Sequence, residues 1–94
     1  MSKNLFKTTS SILESKIDDE VVLMSIDNGF YYGLDPVASR IWEVLSKNPS
    51  TLEDICHELM DEYEVDFETC KEESIIFINE MIEQGLVEKV ESEL

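Results

Sequence analysis

Residues 20–36 read EVVLMSIDNGFYYGLDP and carry the strongest local structural signal of the sequence. Two runs rich in β-branched and aromatic residues, 20–26 and 30–34, lie on either side of Asn28 and Gly29. Asn-Gly between two such runs is the strongest short-range signal for a hairpin, because a type I′ turn needs positive φ at both central positions. We therefore predict a β-hairpin with strands at 20–26 and 30–34, preceded by a short strand within residues 10–16.

Helical signals follow the hairpin. Asp35 before Pro36 is typical of an N-cap and a first helical position, so a first helix is predicted to begin here and to end at residues 47–49. Ser50 and Glu53 have the spacing of a capping box, which predicts the start of a second helix. Both segments carry apolar residues at helical spacing, so each is expected to turn one face toward a core.

A third helix is predicted to begin near residue 66 or 67 and to stop at Gly85, a natural residue to follow a helix C-terminus. Residues 86–90 then form either a short terminal strand or a tail that packs. A small sheet followed by three helices places the chain in the α+β class. No repeat or linker divides the 94 residues, so we expect one domain at 10–90, with a flexible N-terminus at 1–9 and a tail at 91–94.

The third predicted helix has a broad apolar face and one apolar residue that lies away from it. Ile76 falls among glutamates on the other side of a helical wheel. A single exposed isoleucine is common and usually has no function. Because Ile76 also lies near Glu73, Phe77 and Glu80, an apolar strip with acidic edges is the alternative interpretation.

The charge of the chain is unevenly distributed. Seven Lys and Arg residues against 22 Asp and Glu residues give a net charge of −15, and residues 51–94 contain 15 of the acidic side chains and two of the basic ones. This half disfavours nucleic acid, whose affinity for proteins rests on basic groups, and it steers basic partners toward itself. A solvated surface that keeps a small protein soluble is the simpler interpretation of the same charge.

The sequence has few of the groups that an enzyme needs. His57 is the single histidine, while Cys56 and Cys70 fall on apolar helix faces, where buried thiols are more common than zinc ligands. No nucleophile elbow, Gly-rich phosphate loop or Cys-x-x-Cys pair is present. We therefore expect a protein that is not an enzyme and that holds no metal or cofactor. Two cysteines make no disulfide framework, and we find no signal peptide or apolar span, so a reducing cytoplasm is the expected compartment.

Taken together, several short motifs resemble the PqqD-like family, the recognition elements of ribosomally synthesised and post-translationally modified peptides (RiPPs). The resemblance covers residues 10–90 and rests on a set of motifs: the hairpin DNGFYYGLD at 27–35, Ile41-Trp42, and Gly85-Leu86 after the third helix. Among the subgroups of the family, the chain is most similar to the stand-alone proteins of lasso-peptide clusters.

The resemblance implies a winged helix-turn-helix-like fold, in which a three-stranded antiparallel sheet precedes three helices. It also implies that the chain binds the leader segment of a precursor peptide as a strand beside the third strand, in a groove closed by the third helix. The residues that the resemblance assigns to this peptide-binding site are Phe30, Tyr31, Tyr32, Gly33, Leu34, Glu73, Ile76, Phe77 and Glu80. The sequence leaves open whether Tyr32 or Tyr31 lies on the core face of the hairpin.

The resemblance further implies a partner, a maturation enzyme that receives the leader, with the leader peptidase of lasso biosynthesis favoured. An adaptor for a radical enzyme or another RiPP pathway is the alternative within the same class. A winged-helix DNA-binding regulator is disfavoured, because Lys71 is the only basic residue of the third predicted helix.

Overall fold

The computed structural model describes the backbone of residues 2–93 and the side chains of residues 4–90. Its elements follow the order β1 (Ser2–Thr8), β2 (Ile12–Ile17), β3 (Glu20–Ser25), β4 (Tyr31–Gly33), α1 (Pro36–Lys47), α2 (Leu52–Glu62), α3 (Phe67–Glu83) and β5 (Val87–Glu93). β2, β3 and β4 form an antiparallel sheet in that order, and β1 and β5 form a separate two-stranded sheet. The predicted α+β architecture, with a three-stranded sheet followed by three helices, is confirmed.

The hairpin of β3 and β4 is confirmed, but the predicted type I′ turn is wrong. Residues 26–30 connect the strands, and the Ser25 N–H donates to the Phe30 carbonyl across 3.0 Å to close this longer loop. Of the two expected positions, Gly29 alone has a positive φ, +74°. The Asn28 Oδ1 instead accepts from the Phe30 N–H at 2.8 Å, so the asparagine contributes to the turn through its side chain and keeps a negative φ.

The core lies between one face of the three-stranded sheet and the helices. Val21 and Leu23 on β3 are fully buried, as is Ile78 on α3. Trp42 of α1 is 2 % exposed, and its indole N–H donates to Glu14 Oε1 on β2 at 2.6 Å, so the one polar atom of the ring has a partner. This packing fixes the sheet against α1 and leaves the opposite face of the sheet uncovered by any described element.

The helix starts were predicted nearly correctly. The Asp35 Oδ1 accepts from the Ala38 N–H at 2.8 Å, which confirms the predicted N-cap of α1. The capping box of α2 lies one residue later than predicted, with Thr51 as N-cap and Asp54 as its partner. The displaced residue Ser50 has another role, because its backbone N–H and carbonyl both bond to Phe6 of β1.

The end of α3 is a Schellman motif. Gly85 has φ +78°, the Gly85 N–H donates to the Ile82 carbonyl, and the Leu86 N–H donates to the Met81 carbonyl at 2.9 Å. Leu86 is fully buried, so the chain turns back into the core before β5 begins. None of the described helices, α3 included, combines the length and the apolar character that crossing a membrane requires.

The N-terminus differs from the flexible segment that we expected. β1 pairs along its length with β5, in a register that sets Phe6 opposite Lys89. Phe6 is 5 % exposed and joins the core cluster, and its bonds with Ser50 tie β1 to the start of α2. The polar sequence of β1 gives a weak local signal, because its partner strand lies at the other end of the chain. β5 confirms the terminal-strand alternative for residues 86–90, and it continues to Glu93.

Candidate peptide-binding groove

β4 has one paired edge and one free edge. The Leu34 N–H donates to the Val21 carbonyl at 2.9 Å and the Ser25 N–H donates to the Phe30 carbonyl, so the backbone groups of alternate residues point toward β3. In an antiparallel pair the intervening residues point the other way. The N–H and C=O groups of Tyr31 and Gly33 therefore face away from β3, and none of the described strands pairs with them.

Ser39 of α1 completes the hydrogen bonding between β3 and β4 at the end of the hairpin. The Val21 N–H donates to the Ser39 Oγ at 2.8 Å, and the Ser39 hydroxyl donates to the Leu34 carbonyl at 3.1 Å. Ser39 is 1 % exposed, and its hydroxyl lies where a further hydrogen bond of the β3–β4 ladder would form. It links the end of the hairpin to the first turns of α1 and fixes the position of the free edge.

The core face of β4 is the one that carries Tyr32. Tyr32 pairs with the fully buried Leu23, so its ring lies on the core face and is half-buried against the core. Tyr31 and Gly33 lie on the outer face, where Tyr31 is 71 % exposed. The Tyr32 hydroxyl donates to Gln84 Oε1 at 3.1 Å, which joins β4 to the C-terminal end of α3.

α3 presents a stripe of residues at helical spacing toward this strand. Residues 73, 76, 77, 80 and 84 follow the i, i+3, i+4, i+7, i+11 pattern of one helix face. Gln84 contacts Tyr32, while Glu73 and Phe77 line a cavity that begins beside the end of β4. We call the space between β4 and this stripe the groove.

Two predicted site residues of α3 lie at the rim of the groove. Ile76 is 59 % exposed, which confirms the prediction that it lies outside the core, and Glu80 is exposed beside it. Neither residue lines the cavity. The stripe thus has a lining part, Glu73 and half-buried Phe77, and an outer part formed by Ile76 and Glu80.

A cavity of about 340 Å³ continues the groove between the three helices. Its wall is mainly apolar, with two carboxylates, and comprises Asp35, Val37, Ala38, Ile41, Leu59, Tyr63, Val65, Cys70, Glu73, Ser74 and Phe77. This volume accommodates a large side chain, and pockets of this kind bind apolar groups next to a few polar ones. The cavity is therefore suited to an apolar anchor with a positively charged neighbour.

The predicted residues at the two ends of β4 differ in their surroundings. Leu34 is 5 % exposed, and both of its backbone groups are already bonded, so it anchors the strand and offers no free group. Phe30 is 62 % exposed and precedes the strand. Its ring remains accessible beside the start of the free edge.

Sequence reasoning missed several residues of this region. Gln84 follows Glu73, Phe77 and Glu80 at helical spacing, so extending the pattern by one turn would have included it. Val37 and Tyr63, exposed apolar residues of the cavity wall, carry no such signal, because α1 and the end of α2 meet only in the folded chain.

The two cysteines lie behind the groove as buried free thiols, as predicted. Cys70 borders the cavity, and its Sγ lies 3.9 Å from the Ser74 Oγ. Burial raises the pKa of the Cys56 thiol to about 11. At neutral pH Cys56 is therefore protonated and a poor nucleophile.

Comparisons with known proteins relate the chain to one family and to two solved structures. Residues 20–87 match the family model described as coenzyme PQQ synthesis protein D, PqqD. The solved structure of TbiB1 in complex with the TbiA(beta) leader peptide is 35 % identical to the chain, with a TM-score of 0.82 over 87 % of this chain and 94 % of that one.

A structure of lasso peptide synthetase B1 complexed with the leader peptide is 23 % identical, with a TM-score of 0.78 over 88 % of this chain and 96 % of that one, and this likeness concerns the fold alone. The comparison with curated proteins gave no match. The family match and the relative at 35 % identity together show that the chain belongs to the PqqD family and is a PqqD-like RiPP recognition element.

Proposed function

We propose that this protein binds the leader segment of a ribosomally synthesised precursor peptide and presents it to a maturation enzyme, without catalysing a reaction itself. The observation that carries the proposal is the free edge of β4, with the backbone groups of Tyr31 and Gly33 unpaired and facing the groove beside α3. The leader peptide bound by TbiB1, a relative at 35 % identity, supports the same class of ligand.

The leader adds as a strand at the free edge of β4. The N–H and C=O groups of Tyr31 and Gly33 then pair with the backbone of an extended peptide, as in other cases of strand addition. Each such bond contributes about 0.5–1.5 kcal/mol net. Because the ordering of a flexible leader opposes binding, a Kd of roughly 0.01–10 μM is expected once apolar anchors are included.

Side chains of the leader alternate between two surroundings. A residue opposite Tyr32 points to the core face and enters the groove, where Phe77 and the cavity accept an apolar side chain. Residues opposite Tyr31 and Gly33 point to the outer face of the sheet. Sequence selectivity therefore comes from alternate positions of the leader, with Glu73, Ile76 and Glu80 contacting the residues that approach α3.

The charge of the groove favours a leader with basic residues near its apolar anchor. Asp35 and Glu73 border the cavity, and Glu80 lies at the rim. Acidic side chains on both sides of an apolar slot attract Lys or Arg and accelerate association, most strongly at low ionic strength.

The enzyme that receives the leader is, in this proposal, the leader peptidase of a lasso-peptide pathway. The resemblance of the motifs at 27–35, 41–42 and 85–86 to the stand-alone proteins of lasso-peptide clusters favours this assignment over a radical enzyme or another RiPP pathway. The genes beside the coding sequence distinguish the two: a transglutaminase-like peptidase together with an asparagine-synthetase-like cyclase marks lasso biosynthesis.

Fluorescence polarisation with a labelled leader from the precursor encoded in the same gene cluster tests the proposal. We expect saturable binding within the range given above and no binding of a scrambled peptide of the same composition. A folded protein that fails to bind the leader at about 100 μM, well above the expected Kd, would contradict the proposal.

A further inference from the structure

β2 forms the second edge of the three-stranded sheet, on the side opposite β4. The Leu34 N–H donates to the Val21 carbonyl, so the backbone groups of Val21 point toward β4 and those of its register partner Lys16 point away from β3. The same alternation turns the backbone groups of Ile12 and Glu14 outward. Among the described residues, none donates to or accepts from these outward groups. β2 is therefore open to pairing with a further strand.

β2 has few of the features that normally protect an edge strand, which are proline, a bulge, short length or an unpaired charge. It has six residues, none of them proline, and five are exposed. It pairs with β3 residue by residue, without a bulge. Its two charged side chains, Glu14 and Lys16, have opposite sign, although the chain as a whole carries −15. β2 is thus a neutral edge on an acidic protein.

The sequence of β2 is complementary to itself in the antiparallel direction. When two copies are related by a two-fold axis at Ser15, Glu14 lies opposite Lys16 of the second copy, and Leu13 lies opposite its Ile17. Opposite charges and apolar pairs directly across two strands stabilise their pairing. Leu13 and Ile17 are 54 % and 62 % exposed, so each has apolar surface to bury. An axis at Glu14 or at Lys16 would instead set like charges opposite each other.

We propose that two copies of this protein associate through the free edges of β2, so that their sheets join into one antiparallel sheet with three strands from each copy. Glu14 of each copy and Lys16 of the other then form a hydrogen-bonded pair, in which each residue donates its N–H to the carbonyl of its partner. This inference goes beyond the proposed function and does not depend on it.

The side chains on the core face of β2 are compatible with this contact. Glu14 accepts from the Trp42 indole N–H with Oε1, which leaves its Oε2 for Lys16 of the second copy. Lys16 donates to Glu43 of α1 at 3.2 Å, and its ammonium group has two further N–H donors. α1 bonds to the backbone of the sheet at β3, through Ser39, so it reaches β2 with side chains and leaves the backbone edge open.

The acidic turns of the two copies remain far apart in this arrangement. Asp18 and Asp19 follow β2, and the antiparallel pairing places the two turns at opposite ends of the joined strands. Asp18 lies about 10 Å along the strand from the axis at Ser15, so the two turns are about 20 Å apart. This distance is roughly twice the Debye length at physiological ionic strength, so their repulsion is largely screened.

A leader peptide is the other strand that fits an open edge, and it gains less at β2 than at β4. The α3 stripe, which Tyr32 contacts through Gln84, lies beside β4, whereas β2 is at the other side of the sheet. The neutral edge of β2 also has no net attraction for basic residues. In the dimer the two β4 edges form the outer borders of the joined sheet, five strand spacings or about 24 Å apart. Each copy therefore keeps its own leader site.

Sedimentation equilibrium of the full chain without leader measures the association. One pair of strands buries a small area, and interfaces of this size are weak or transient. We expect a monomer–dimer equilibrium with a Kd of roughly 10–500 μM, so the protein is studied up to about 1 mM at physiological ionic strength.

Charge reversal tests the register of the two strands. Lys16→Glu places like charges opposite each other in both pairs, and Glu14→Lys does the same with the other sign, so each variant alone should raise the dimer Kd at least about tenfold. An equimolar mixture of the two variants restores opposite charges in both pairs and should return the Kd to within about threefold of wild type. Lys89→Glu, the same change at an exposed position of the other sheet, is the matched control and should leave the Kd unchanged.

Lys16→Pro tests the backbone bonds and serves as a second variant if Glu14→Lys, which removes the acceptor of the Trp42 indole, fails to melt cooperatively. Proline is tolerated on an edge strand where the N–H faces solvent, so melting and leader affinity should stay close to wild type. The loss of the outward N–H should raise the dimer Kd at least about tenfold.

Four results overturn the inference. The first is a wild-type protein that stays monomeric at about 1 mM. The second is a wild-type Kd for the Lys16→Glu and Lys16→Pro variants, and the third is a mixture of folded Lys16→Glu and Glu14→Lys proteins that stays monomeric. The fourth is a dimer that saturating leader dissolves, since the copies would then meet at β4. Failure of the proposed function is separate, because it shows as absent leader binding while the dimer is measured without leader.

Discussion

α3 has two sides with opposite properties, and the difference between them distinguishes stability from function. The side toward the core consists of residues that are at most 6 % exposed: Cys70, Ser74, Ile78 and Met81. The side toward the groove carries Glu73, Ile76, Phe77 and Glu80, none of them fully buried. β4 repeats the contrast in its backbone, since one edge is bonded to β3 and Ser39 while the other is free. Changes at the buried positions should therefore affect unfolding, and changes at the exposed positions Ile76 and Glu80 should affect binding alone.

The largest effect is expected from Met81→Asp on the core side. Met81 is 6 % exposed, so the substitution buries a charge without a partner, which costs several kcal/mol and should unfold the domain. Circular dichroism during heating measures the loss of the cooperative transition. Met60→Asp introduces the same charge at a position that is 40 % exposed, and it should remain folded. Equal melting temperatures for the two variants would contradict the assignment of the core side.

Ser39→Ala should have the next largest effect, because it removes the hydroxyl that joins the end of β4 to β3. The variant leaves the Val21 N–H and the Leu34 carbonyl without the hydroxyl that joins them. An unsatisfied buried polar group costs about 1–3 kcal/mol, so urea denaturation should show a loss of about that size. Ser46→Ala, on the exposed side of the same helix, is the control. A loss below about 0.5 kcal/mol, typical of surface substitutions, would mean that Ser39 does not hold the hairpin.

Ile76→Asp tests the groove side. Ile76 is exposed, so the free energy of unfolding should stay within about 0.5 kcal/mol of wild type. Leader affinity should fall by about tenfold, or about 1.4 kcal/mol, because a third acid joins Glu73 and Glu80 and an apolar contact is lost. Met60→Asp again serves as the control, since it adds the same charge away from the groove. A stable Ile76→Asp protein with normal leader affinity would refute this position of the groove while leaving the family unchanged.

The smallest effect is expected from Tyr32→Phe, which removes only the hydroxyl that donates to Gln84. The hydrogen bond is exposed, so the change in unfolding free energy should be at most about 1 kcal/mol. Leader affinity should change only a few-fold, because the ring still forms the core-side wall at β4. Gln84→Ala should give the same result, and the double variant should add nothing further if the two side chains act only on each other.

Local signals in the sequence predicted most of the fold. The Asp35 cap, the hairpin and the stop at Gly85 each depend on neighbouring residues, and each lies where it was predicted, within one or two positions. The exposure of Ile76 was also predictable, because a single helix period determines it. The type I′ turn was predicted wrongly because the side chain of Asn28 satisfies the Phe30 N–H and replaces the backbone conformation that the dipeptide usually adopts.

Features that depend on distant parts of the chain were not predictable in this way. β1 is polar and is held by β5 and by Ser50, none of which its own sequence indicates. Ser39 is an ordinary helix residue until the end of the hairpin packs on it. The cavity joins three helices and therefore has no local pattern. The predicted peptide-binding residues came from resemblance to a family.

Residue-resolved amide hydrogen exchange with and without the leader measures strand addition at the free edge of β4. The free protein should exchange the amides of Tyr31 and Gly33 rapidly, since they face away from β3, and that of Tyr32 slowly. Saturating leader should slow exchange at Tyr31 and Gly33 by at least about tenfold, while the amide of Tyr32 changes little. Leader binding that leaves Tyr31 and Gly33 unprotected would contradict strand addition at the free edge of β4.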